Sequence, residues 1–100
     1  MVTELEVLSI VPHCLNGEDG EKVYAVIRAA LDSGESVNIS FEGVNSLPTS
    51  FVNAALLQLL SLYSMEEIKQ RLFFSNTTKH INMTIRERFA FEVKRQVFDS

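Results

Sequence analysis

The apolar positions of this chain change period several times, and each change marks an element. Val37, Ile39 and Phe41 alternate with Asn38, Ser40 and Glu42, the spacing of a strand with one wet face. A strand covered by helices on both sides would be apolar throughout, so the sheet is expected to carry its helices chiefly on one face. Thr3 to Val11 reads as an earlier strand. It opens with alternation at Glu4, Leu5, Glu6 and Val7, and Pro12, which cannot donate to a ladder, closes it. Arg71 to Ser75, centred on Leu72, Phe73 and Phe74, reads as a short buried strand.

Between these strands the period lengthens. Val23, Val26, Ile27, Ala30 and Leu31 fall on one face of a helix. A turn-like cluster, Asn16 to Gly20, precedes it. Asp19 and Glu21 complement its dipole, and Ser33-Gly34 supplies the stop. Pro48 suits the first turn of a second helix, expected to run to about Tyr63. Its polar residues Asn53, Gln58 and Ser61 cover less than half the circumference. Such a helix is buried on several sides, by neighbours or by another subunit, so a homo-oligomer is an open expectation. Ser64 to Lys69 is a short helical or turn segment. Thr77 or Thr78 can cap a last helix whose Ile81, Ile85, Phe89, Val93 and Val97 repeat every four residues. The order β–α–β–α–β–α predicts an α/β fold in one domain, residues 1–100, with a sheet of about four mostly parallel strands.

Composition narrows the classes. One hundred residues with 46% apolar and 22% charged side chains suit a single globular domain. The longest apolar stretch, Ala54 to Tyr63, is too short to cross a bilayer, so no membrane role is expected. An acidic opening, Met-Val-Thr-Glu-Leu-Glu, is unlike a signal peptide, and a single cysteine, Cys14, suits a reducing compartment. Cytoplasm is the expected location. A formal charge of −4 weighs against general nucleic-acid binding. The charge is uneven, though. Residues 1–45 hold eight acids against Lys22 and Arg28, a net of −6. From Lys79 to Arg95 five bases face Glu87 and Glu92, a net of +3.

Catalytic and cofactor chemistry is sparse. Two histidines, His13 and His80, and one cysteine give no ligand spacing for a metal, and neither a metal nor a cofactor is expected. Cys14 reads as a small buried residue and His80 as a solvated one in a first helical turn. Gly17 and Gly20 precede a helix without the lysine and strand of a phosphate loop. The basic face at Arg86, Arg88, Lys94 and Arg95, with Phe89 and Phe91 between, reads as the wet side of an amphipathic helix; its alternative is a nucleic-acid patch. One junction stands out. Asn45-Ser46-Leu47-Pro48-Thr49-Ser50 joins a strand to a helix start, where hydroxyls cap free N–H groups or can accept a phosphoryl group.

The run Val37-Asn-Ile-Ser-Phe-Glu-Gly-Val-Asn-Ser-Leu-Pro-Thr-Ser-Phe-Val-Asn-Ala-Ala-Leu resembles the central segment of STAS-like domains. There a strand ending in alternating apolar residues and Gly-Val leads into a Ser/Thr pair at a helix start. Arg71-Leu-Phe-Phe-Ser-Asn-Thr-Thr, followed by an Ile-rich helix, is similar to that family's next strand and turn. The likeness covers roughly Glu21 to Arg88 and is closest to a branch of unknown function.

The resemblance implies a small non-enzymatic module that acts by binding proteins. The anti-sigma-factor antagonists among its relatives bind an ATPase-like serine kinase, and phosphorylation at this helix start breaks their complex; the partner implied here is a histidine-kinase-like ATPase or a serine kinase. Their pattern is Asp-Ser-Ser-Gly; here Pro48-Thr49-Ser50-Phe51 stands in its place, so Thr49 matches the acceptor and Ser50 its neighbour. Pro48 replaces the Asp, and Phe51 brings bulk where the pattern has none. A regulatory protein-interaction module using Thr49, Ser50 and Ser46 is therefore the leading expectation. A small-anion or nucleotide site at the same helix start, and a nucleic-acid adaptor, are its alternatives.

Overall fold

A computed structural model describes residues 2–12 and 16–99, the last five of these without their side chains. His13 and Cys14, with the burial expected of Cys14, lie outside the described residues, as do the side chains of Arg95 and Val97. The elements, in chain order, are β1 (Val2–Glu6), α1 (Val7–Ile10), α2 (Gly17–Asp32), β2 (Ser36–Ser40), α3 (Thr49–Ala55), a 3₁₀ helix (Leu57–Ser61), α4 (Met65–Arg71), β3 (Leu72–Ser75) and α5 (Lys79–Asp99).

Three strands, not four, form the sheet among the described residues, all parallel and in the order β1-β2-β3. Leu5 pairs with Ile39 and Ile39 with Phe74, while Glu4 pairs with Asn38 and Asn38 with Phe73. Leu5, Val37, Ile39, Phe41 and Leu72 turn inward and join one core with Val23, Ile27, Phe51, Leu56, Leu59 and Ile81. The opposite face is polar, as the alternation in β2 requires, with Glu4 exposed, Asn38 half-buried and Ser40 buried. Its polar groups satisfy one another: Asn38 donates to Glu4 at 2.8 Å and to Ser75 at 3.3 Å, and Asn76 donates to Ser40 Oγ at 2.8 Å. Asn76 has φ 51°, a left-handed conformation that asparagine tolerates better than most residues.

Two elements differ from the expectation, each for a local reason. The first strand stops at Glu6, and Val7–Ile10 makes one helical turn, with Val11 N–H bonded to Val7 C=O at 3.0 Å. A continued strand would place Ser9 on the buried side with Val7 and Val11. The turn buries both valines and leaves Ser9 exposed, its hydroxyl donating to Glu6 C=O. The second helix breaks at Leu56 rather than running to Tyr63. There the Gln58 side chain donates to Ala54 C=O at 2.8 Å, the acceptor its own backbone N–H would have used in an unbroken helix.

The other helix boundaries follow from capping. Asn16 caps α2 through Asp19 N–H, so the supposed turn before that helix is its first turn. At its end Gly34, with φ 86°, bonds back to Leu31 C=O while Glu35 N–H reaches Ala30 C=O, satisfying two terminal carbonyls. Ser64 caps α4 through Glu67 N–H. Thr78, rather than Thr77, accepts from Ile81 N–H at 3.1 Å and donates to Asn45 C=O at 2.9 Å, which ties the start of α5 to the loop before α3.

Candidate functional site

The packing beneath the start of α3 is closed. A side-chain carbon on Gly20 would meet Phe51 C=O at 2.6 Å and Ala54 Cβ at 2.8 Å, so only glycine lets α2 and α3 approach this closely. Phe51, Val52, Ala55, Leu56 and Leu59 are all 1% exposed or less. The bulk that Phe51 brings therefore goes into the core, not onto the surface a partner would meet.

Above this packing the hydroxyls face water. Pro48, expected inside the first turn, is instead the N-cap of α3, and no side chain caps the helix. Thr49 and Ser50 are exposed, as is Ser46, and none of the three hydroxyls bonds to a described residue. The capping duty that such hydroxyls usually perform is not performed here. Gly17, in the first turn of α2, lies near Ser50 C=O, which places this junction close to the acids Glu18 and Asp19.

The three residues of the expected basic face whose side chains are described, Arg86, Arg88 and Lys94, do not share one surface. Arg88 bends toward α3, donating to Asn53 at 3.0 Å, and it also contacts Glu92 at 3.9 Å and lies 5.1 Å from the Phe91 ring centre. Arg86 and Lys94 line a concavity on another side of α5. Arg95 lies outside the described side chains. His80 is exposed in the first turn of α5, as read from the sequence.

That concavity was not foreseen. It is a groove of about 560 Å³, open to solvent, between α4 and α5 with β3 as its floor. Ile68, Leu72, Phe74, Ile85 and Val93 give it an apolar lining; Lys69, Arg86 and Lys94 bring the cations. A sequence signal existed: the four-residue repeat of α5 runs on through Val93 after the core has ended at Phe89. A second hollow, about 450 Å³ and polar, lies over the strand ends and is lined by Glu4, Glu6, Ser40 and Asn76 among others.

Arg71 closes the far end of the sheet. Its guanidinium donates to Leu31 C=O at 2.5 Å and to Glu35 C=O at 2.8 Å, and sits 5.6 Å from the Tyr63 ring centre. The Tyr63 hydroxyl donates to the Asp32 carboxylate, and that bond is the main reason its pKa is raised above 10.0. These contacts brace α2 against α4 and account for their residues structurally.

The family model for the STAS-like domain of unknown function (DUF4325) matches residues 19–82, from the first turn of α2 into α5. The chain belongs to that family. Its matched region contains β2, the Thr49–Ser50 junction and β3. Searches of curated proteins and of solved structures found no match. No helix among the described residues is long and apolar enough to cross a membrane.

Proposed function

We propose that this domain is a non-enzymatic regulatory module that binds a protein partner through the start of α3. The observation that carries the reading is the state of Thr49 and Ser50: exposed, unbonded and standing on closed packing. Hydroxyls that neither cap the helix nor support the fold are free to be recognised or modified. A phosphate on Thr49 would add nearly two negative charges. With Glu18 and Asp19 in the neighbouring turn, the junction would become strongly anionic, and an acidic or apolar partner surface would then be expelled. By family likeness, the kinase supplying that phosphate is an ATPase-like serine kinase.

The test compares wild type, Thr49→Ala and Thr49→Glu, the last a partial mimic of the phosphate. Since Thr49 makes no bond, both variants should melt within about 4 °C of wild type. Proteins captured from the source cell and identified by mass spectrometry should be shared by wild type and Thr49→Ala and depleted for Thr49→Glu. Identical sets for all three would leave the junction as a plain helix start.

A further inference from the structure

We infer that the groove between α4 and α5 is a second docking site, separate from the α3 junction, and that its occupant is an acidic amphipathic α-helix of a partner protein. Shape and charge together point there. Two helices form the walls and β3 the floor, an arrangement that receives the apolar side of a third helix. Ile68, Leu72, Phe74, Ile85 and Val93 offer the apolar bed. Ala90, small and exposed, leaves the middle of the α5 wall open.

The cations decide the chemistry of the occupant. Lys69 stands on α4, Arg86 and Lys94 on α5, and among the described residues no acidic side chain lines the groove. Among the described residues none of these three is in an ion pair. Arg86 and Lys94 are eight residues apart on one helix, about 12 Å at the helical rise. Lys69 stands on the other wall, so the positive charge is strung along the groove and matches negative charges spread along the occupant. The groove is also open on one side, which would leave a bound acyl chain half in water; a helix brings its own polar face to that side. A polynucleotide would meet the cations but leave the apolar bed unfilled. The chain as a whole carries −4, so an acidic partner is attracted here and repelled over residues 1–45.

Arg88 shows that the groove and the α3 junction are distinct surfaces. It reaches Asn53 of α3, while Arg86, two residues earlier and so about 200° around α5, lines the groove. The groove can therefore fail while the α3 reading stands, and the reverse.

The test uses a fluorescein-labelled synthetic peptide of about 18 residues, long enough to hold a helix, with leucines along one face and glutamates flanking them. Anisotropy should show it binding the full chain, while a peptide with lysine for every glutamate does not. Arg86→Glu combined with Lys94→Glu should weaken binding by about tenfold and lessen its salt dependence. Ala90→Trp, which fills the groove from an exposed position, should abolish binding with an unchanged melt. Palmitate and sedimentation of the unliganded chain test other occupants. No binding of the acidic peptide at about 1 mM overturns the proposal, as does equal binding of both peptides or of wild type and the charge-reversed variant. Palmitate bound in place of the peptide makes the site a lipid site. A dimer dissolved by Ala90→Trp makes the occupant a second copy. Either result also overturns the proposal.

Discussion

The start of α3 and the α4–α5 groove are opposites in construction. At α3 the packing is shut: Gly20 admits no side chain, Phe51 fills the interior, and the Thr49 and Ser50 hydroxyls reach the surface beside Ser46 and Asn53. At the groove the packing is left unfinished, with apolar side chains flanked by cations and, among the described residues, no hydroxyl in the lining. One place offers a chemical handle without a pocket; the other offers a pocket without a handle. On the proposed reading, this division suits a module in which one surface holds a partner and another changes the terms of holding it. It also explains why apolar character alone was a poor guide. The most apolar helical stretch is consumed by the core, and the binding surface lies where an ordinary amphipathic helix runs past it.

The comparison breaks if the α3 side is not in fact closed, and large-to-small changes there should be the most damaging. Phe51→Ala should cost about 3–5 kcal/mol and Leu59→Ala about 2–5 kcal/mol. Against a total stability of about 5–10 kcal/mol for a chain of this size, either should lower the melting temperature steeply. Unchanged melts for both would make α3 and the 3₁₀ helix peripheral.

Gly20→Ala sharpens the same point at a smaller scale. In an exposed helix this change would stabilise by up to about 1 kcal/mol. Here the new carbon would lie 2.6 Å from a backbone oxygen and 2.8 Å from Ala54, so α2 and α3 must part. A net loss of about 1–3 kcal/mol in chemical denaturation is expected. A gain in stability would show that the two helices are not held as close as described.

Much of this architecture was legible from residues alone, because the signals were local. The alternation in β2 told which sheet face stays wet, and Gly34 and Thr78 act at the helix ends where their side chains, or the lack of one, made them useful. What could not be read depended on contacts between distant segments. Val7 and Val11 suit a strand or a helical turn equally, and the burial of both, with Ser9 excluded, settles it. The break at Leu56 depends on a side-chain bond from Gln58 that no periodicity encodes. The Thr49–Ser50 junction was visible as a motif, but its lack of capping bonds was not. The groove was invisible for a different reason. Lys69, Leu72 and Arg86 come from three elements, and only their assembly leaves a space between them. The expected basic face failed as a unit because Arg86 and Arg88, neighbours in the sequence pattern, point to different sides of α5.

The most direct test of this division is a map of where the partner helix lands. The acidic peptide would be titrated into the isotopically labelled 100-residue chain and amide shifts followed by NMR. Perturbations should gather in α4, β3 and residues 82–94 and leave residues 46–53 in place, since the α3 junction lies on closed packing and makes no groove. Shifts centred on residues 46–53, with the groove unmoved, would contradict the account: one surface would then be both handle and seat.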